Sequence, residues 1–165
     1  MNSLVLYYSN TGNTQKVAQV LATELGADLG EITCDQYLSF PGRLLMALDV
    51  FTRRRPRIDL VVKPSAQYDL VVIGGPVWAA RPSLPLAAAI ERGGFGGAAL
   101  AHFVTCSGTS PKWPPERAIA EMESLSDVPP LATHIFREAG IASGAFRQEA
   151  AGFAAELRAA MSPAA

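Results

Sequence analysis

The chain has 165 residues, of which 49% are apolar and 18% charged. That is enough for one domain with a substantial core, and it excludes an intrinsically disordered chain. The balance of 14 Lys plus Arg against 15 Asp plus Glu, a formal net charge of −1, excludes a broadly basic nucleic-acid surface and a strongly acidic protein.

The elements follow in chain order. SLVLYY (3–8) reads as a strand, rich in branched and aromatic residues. Residues 14–25 then set Val17, Val20, Leu21 and Leu25 at helical spacing, and Gly26 supplies a stop. DLGEIT (28–33) reads as the second strand, and GRLLMALDVFTRRR (42–55) as a helix that ends before Pro56. YDLVVIGGP (68–76) and LAHFVTCSG (100–108) are nearly continuous apolar runs, the pattern of strands covered by helices on both faces. Residues 82–92 and 115–125 read as helices, and LATHIF (131–136) as the fifth strand. The last helix, 144–161, sets Phe146, Ala150, Phe153 and Leu157 along one stripe. The stretch 53–67 is expected to be irregular, and the Ala/Pro tail after Met161 loose. Strict alternation of strand and helix predicts an α/β fold, a five-stranded parallel sheet with helices on both faces, in a single domain over 1–165.

Two cysteines, Cys34 and Cys106, lie far apart with no Cys-x-x-Cys pair, which suits a reducing compartment better than a disulfide scaffold. The N-terminus shows no basic stretch before an apolar one, and no apolar run reaches the length of a membrane span. The expected address is the cytoplasm, with no membrane span and no nucleic acid among the partners.

The segment SNTGNT (9–14) follows the first strand and leads directly into a helix. In an open parallel sheet, ligands sit outside the carboxyl ends of the strands. A helix N-terminus there offers free N–H groups and a dipole that favours an anion. Gly12 allows close backbone approach or a positive φ, and Ser9, Thr11 and Thr14 add hydroxyls. The segment can therefore cradle a phosphate without a cation. It can equally be a polar turn in which Asn13 or Thr14 caps the helix.

Rival motifs are absent. There is no GxxxxGK[ST], so the lysine that reaches distal nucleotide phosphates is missing, and Lys16 falls within the helix. There is no GxGxxG after the first strand and no GxSxG elbow. Cys106 has Lys112 six residues on, where a Cys-x5-Arg phosphatase loop needs arginine.

YYSNTGNTQKVA (7–18) resembles the phosphate loop of the flavodoxin-like FMN-binding family, a strand followed by [ST]-x-T-G-x-T. YDLVVIGGPVWAARPSLPLAAAI (68–90) resembles that family's third strand and flavin-flanking loop. The two stretches stand in the right order, and the alternation of elements along nearly the whole chain fits the flavodoxin-like fold. The resemblance implies FMN as cofactor, with its phosphate on Ser9, Asn10, Thr11, Gly12, Asn13 and Thr14. It implies the flavin ring beside Pro76, Val77, Trp78 and Ala79, with Trp78 packing on it. A third loop is implied from Cys106 through Ser107 and Gly108 to Trp113. There the stacking tyrosine common in the family is missing, and Ser107, Gly108 and Thr109 stand in its region. The near-neutral charge also departs from the acidic electron carriers of that family.

No residue reads as an acid, base, nucleophile or metal ligand, as suits a flavoprotein whose cofactor supplies the redox chemistry. Cys106 and His102 read as core residues within an apolar strand, and His134 similarly. Arg53, Arg54, Arg55 and Arg57 read as a solvated helix end matched to the dipole, with a docking patch for an acidic partner or anionic substrate as the alternative. The expected function is an FMN-dependent oxidoreductase, NAD(P)H to quinone or a similar acceptor. The alternative is a flavodoxin-type protein passing single electrons between protein partners.

Overall fold

The computed structural model describes residues 1–60, 67–108 and 110–162. Strands β1 (Ser3–Tyr7), β2 (Asp28–Thr33), β4 (Leu70–Trp78), β6 (Ala99–Cys106) and β7 (Thr133–Arg137) form a parallel sheet in the order β2-β1-β4-β6-β7. Two further strands of two residues each, β3 (Asp59–Leu60) and β5 (Arg81–Pro82), pair antiparallel with β2 and β4. The expected five strands are thus the parallel set, and the whole sheet has seven. A two-residue strand carries no periodicity, so β3 and β5 leave no mark in the sequence.

Helices α1 (Asn13–Leu25) and α6 (Phe146–Met161) cover one face, α3 (Leu84–Arg92) and α4 (Glu116–Leu125) the other. The strand side chains alternate between them. Val5, Val72 and Phe103 pack with Val17 and Leu21 of α1 and Phe153 and Leu157 of α6. Leu4, Leu6, Val71, Ile73 and Val104 pack with Leu86 and Ile90 of α3 and Met122 of α4. Burial on both faces explains the continuous apolar runs, and each such side chain contributes about 1.5–3 kcal/mol relative to exposure. The expected core stripe Phe146, Ala150, Phe153 and Leu157 is fully inside. A short helix, α5 (Glu138–Ser143), lies between β7 and α6 and was not expected from the sequence.

The strand order reverses at β1/β4, with β2 to one side and β6 to the other. The loops after β1, β4 and β6 therefore meet at one carboxyl edge, with the start of α5 beside them. Gly74 and Gly75 serve packing. A Cβ on Gly74 would collide with the Phe103 ring, and one on Gly75 would stand 3.0 Å from Leu86 Cδ2.

Helix α2 (Phe40–Thr52) begins two residues before the expected start, because Ser39 Oγ accepts from Gly42 N at 3.2 Å and a proline occupies the first turn. It is not a crossover helix. β2 ends at Thr33, and Asp59, which opens β3, pairs with Thr33. Segment 34–58 thus leaves and returns at the carboxyl edge of β2. Its inner side is anchored by Tyr37 Oη, which donates to the buried Asp49 at 2.9 Å. Of the stretch expected to be irregular, 53–58 is without regular structure, 59–60 is β3, and 61–66 lies outside the described residues, as does the tail beyond Ser162.

Candidate functional site

At the carboxyl edge Asn10, Thr11, Asn13 and Thr14 of the first loop face Pro76, Val77 and Trp78 of the second and Cys106 and Ser107 of the third across a cavity of about 220 Å³. Thr105, Glu138 and Ile141 complete its wall. A second cavity of about 380 Å³ adjoins it along Val77, Cys106 and Ser107 and continues to Ala79, Ala80, Gly108 and Trp113. Of the residues expected at the site, Ser9 and Gly12 are not in these walls; they shape the loop. Thr109 lies outside the described residues.

The first loop is built around Ser9 and Gly12. Ser9 Oγ accepts from Gly12 N at 3.1 Å and from Gln15 N at 3.3 Å. Gly12 is the N-cap of α1 at φ 89°, a left-handed conformation that favours glycine. The turn expected to be capped by Asn13 or Thr14 is therefore capped otherwise: neither side chain caps α1, and the Ser9 hydroxyl, three residues earlier, takes two of the loop's N–H groups. The backbone N–H groups of Thr11, Asn13 and Thr14 have no protein acceptor among the described residues, as a first helical turn requires. All three residues line the cavity, at the positive end of the α1 dipole.

Thr14 is buried, and its Oγ1 lies 2.7 Å from Thr105 Oγ1 at the end of β6. Asn13 Nδ2 donates to Glu138 Oε1 at 3.3 Å. Glu138 is thus a carboxylate at the cavity wall, which reading the three loops alone does not reveal. Thr105 and Glu138 were both missed. The one signal that could have found them is topology: Thr105 lies at the end of β6, and Glu138 follows directly on the end of β7.

Trp78 is half-buried and meets Tyr8 edge to face, with ring centroids 5.9 Å apart. It ends β4 and leads into a two-residue turn to β5, Ala79 and Ala80 at φ 49° and 61°. Two alanines in left-handed conformation store strain in the loop that walls the cavity. Arg81, next in the chain, pairs with Glu121 at 3.2 Å. Lys112 lies over the Trp113 ring at 5.4 Å.

Burial raises the Cys106 thiol above its ordinary pKa, while nearby Arg137 lowers it. The thiol is therefore protonated at neutral pH, which fits a lining residue and not a nucleophile. Arg137 Nη1 also donates to Gly108 O at 3.4 Å and so ties the third loop to β7. His102 is fully buried in β6, with Nε2 3.1 Å from Ser126 Oγ. Burial alone pushes its pKa down to about 4, so it is a neutral core residue remote from the cavity walls. His134 lies against Phe136 and Phe153, with Nε2 3.6 Å from Glu149. Among the described residues no cluster of His, Cys, Asp and Glu could hold a metal ion.

No protein-family model matches the sequence, and no curated protein matches it. Solved structures do match its fold. A flavoprotein from Lactobacillus acidophilus NCFM, solved in complex with FMN, is 23% identical with a TM-score of 0.66, over 87% of this chain and 97% of that one. Oxidised flavodoxin 1 from Bacillus cereus is 17% identical with a TM-score of 0.55, over 98% of this chain and 100% of that one. A flavodoxin, WrbA-like protein from Agrobacterium tumefaciens is 16% identical with a TM-score of 0.51, over 95% and 97% of the two chains. The fold is flavodoxin-like, as the two sequence motifs imply.

Proposed function

We propose that the protein binds FMN at this cavity and works as an oxidoreductase. The observation that carries the reading is the set of free N–H groups of Thr11, Asn13 and Thr14 at the start of α1, in residues that line a cavity walled by Trp78. The solved structure of the Lactobacillus acidophilus flavoprotein with FMN supports it.

The residues present fit a phosphate monoester. The loop around Gly12 offers backbone and hydroxyl donors with no side chain in the way; open space surrounds the position of a Cβ there. Charge-assisted bonds to phosphate oxygens are short and strong. Ser9 fixes the loop, and the Thr14–Thr105 pair fixes its depth against β6. Pro76, Val77, Trp78 and Ala79 would flank the ring on one side, and Cys106, Ser107 and Gly108 would close the other. FMN, when bound, supplies hydride or electron transfer. The chain itself binds, orients and excludes water.

For the direction of chemistry we infer a nicotinamide donor and a quinone or similar small acceptor. The chain is near neutral, and the ring-flanking loops carry no carboxylate, with Arg81 paired to Glu121 and Lys112 beside Trp113. A rim without clustered negative charge tolerates a reduced, anionic cofactor. One observation favours the second reading, an electron carrier between protein partners: Glu138 places a carboxylate in the cavity wall. Steady-state assay of FMN-loaded protein with NADH or NADPH and a soluble quinone separates the two. Turnover supports the oxidoreductase. Absence of turnover with both donors, together with rapid one-electron exchange with a protein donor, supports the carrier.

Among the described residues no helix is long and apolar enough to cross a membrane. Cys34 and Cys106 are both free and buried. We infer a reducing compartment, the cytoplasm, as the address.

A further inference from the structure

Helix α2 is apolar nearly all round, yet it lies at the surface. Its inner side is accounted for. Gly42 and Asp49 are buried, and Met46 and Val50 pack against the core. Its outer side carries Phe40, Leu44, Leu48 and Phe51, spaced four, four and three residues apart, which is one stripe of a helix. They are 86%, 74%, 59% and 87% exposed, and Leu38 just before the helix is 75% exposed. With Leu45, which is 37% exposed, they make six of the eleven exposed large apolar side chains of the described residues, gathered on α2 and the residue Leu38 just before it. A continuous patch of this kind marks an interaction surface.

The charge around the segment is mainly positive. From Asp35 to Asp59 the sequence holds five arginines and three carboxylates, Asp35, Asp49 and Asp59, in a chain whose net charge is −1. Asp49 is buried and bonded to Tyr37. Arg55 is neutralised by Glu91, held by two bonds of 2.7 and 2.8 Å. Arg53, Arg54 and Arg57 are exposed and have no ion pair among the described residues. Arg54, Arg55 and Arg57 share with Asp35 and Asp59 the recess under Leu45 and Asp49, and Arg53 lies outside it, so arginine remains in excess around the segment.

We propose that this face docks the protein on an anionic lipid surface. Exposed Phe and Leu entering the acyl boundary beside arginines at the headgroup level form the pattern of an interfacial helix. The excursion 34–58 leaves the sheet and returns to it at one edge, so the stripe faces outward without disturbing the core. A second copy of the chain fits the face less well. The first turn of α2 carries no acidic residue to receive the partner's arginines. The proposal is independent of the flavin reading, because vesicle binding is read without any cofactor signal.

The test is co-sedimentation of the full chain with vesicles of phosphatidylcholine and phosphatidylglycerol in equal parts, and with phosphatidylcholine alone. The protein should sediment with the anionic vesicles, far less with the neutral ones, and should be released by 0.5 M salt, which shortens the reach of surface charge to about 4 Å. Leu44→Ser with Phe51→Ser should cut partitioning at least about tenfold. Arg53→Gln with Arg54→Gln and Arg57→Gln should cut it on the order of 100-fold, about fivefold for each arginine. All five side chains are exposed, so thermal melts of both variants should match wild type. No sedimentation with anionic vesicles overturns the proposal, as does binding that both variants leave unchanged. A stable dimer that Leu44→Ser with Phe51→Ser dissociates, without vesicle binding, assigns the face to a second copy instead.

Discussion

The hydroxyls of Thr14 and Thr105 lie 2.7 Å apart, buried between the first turn of α1 and the end of β6. The pair spans 91 residues of sequence and sets the distance between the cradle loop and the cavity floor. Each hydroxyl is satisfied through the other, so removing one leaves a buried polar group.

Thr14→Val and Thr105→Val should each cost about 1–3 kcal/mol of stability, and the double variant less than their sum by roughly 1 kcal/mol. Urea unfolding of the four proteins measures this coupling. The two sites should separate on ligand affinity. Thr14→Val should weaken FMN by about 1.5–3 kcal/mol and leave riboflavin nearly unchanged, because a donor to a charged oxygen is lost. Thr105→Val should weaken FMN less. Equal effects on both flavins contradict the role given to Thr14.

Replacing Ala79–Ala80 by Asn–Gly should stabilise the protein. Both alanines sit at positive φ, 49° and 61°, in a two-residue turn between antiparallel strands. Asn–Gly is the pair such a turn favours. Relief of the strain should be worth about 1–2 kcal/mol, which for a chain of this size raises Tm by roughly 3–6 °C. A Tm that stays or falls contradicts the strain assignment.

His102 should make stability fall with acid. Burial lowers its folded pKa from 6.5 to about 4. The unfolded chain therefore takes up a proton at pH values where the folded one does not. Stability from this group is complete above pH 6.5, is lost as pH falls toward 4, and changes no further below that. From pH 7 to pH 5 the loss attributable to His102 is about 2 kcal/mol. His102→Gln should show a correspondingly smaller loss over that interval in urea titrations. An unchanged difference between the two pH values contradicts a neutral, buried His102.

Much of this architecture is readable from the chain because its cause is local. The runs in β4 and β6 are apolar throughout, since both faces are covered, and Gly26 stops α1 in the left-handed conformation at φ 62°. The 9–14 loop and the Trp78 loop are contiguous stretches, so their residues that line the cavity could be named in advance. What was missed depends on distant contacts. Thr105 and Glu138 reach the cavity only because β6 stands beside β4 in the sheet and β7 beside β6. The strand of Trp78 was cut short at Pro76, where Gly-Gly-Pro reads as a stop. In the fold, Gly74 and Gly75 are packing positions, and Pro76 still pairs with Thr105. The part of Ser9 in shaping the loop was not anticipated, because its hydroxyl accepts from Gly12 N and Gln15 N, a local arrangement that a list of donors does not reveal.

Substitution of Trp78 tests the wall opposite the third loop. Trp78 contacts Tyr8 and lines the cavity, and an indole packed on a flavin quenches its emission. Trp78→Ala should raise the fluorescence of bound flavin several-fold while the protein keeps its circular dichroism. Identical emission places the ring elsewhere.

The most direct measurement is a calorimetric titration of the protein, freed of flavin, with FMN and with riboflavin. The two ligands share the ring and differ by the phosphate. With the phosphate held by three free backbone N–H groups at the positive end of α1, as proposed, FMN should bind at least about 100-fold more tightly than riboflavin. Equal affinity for the two would contradict the phosphate cradle, and with it the reading of residues 9–14 on which the proposed function stands.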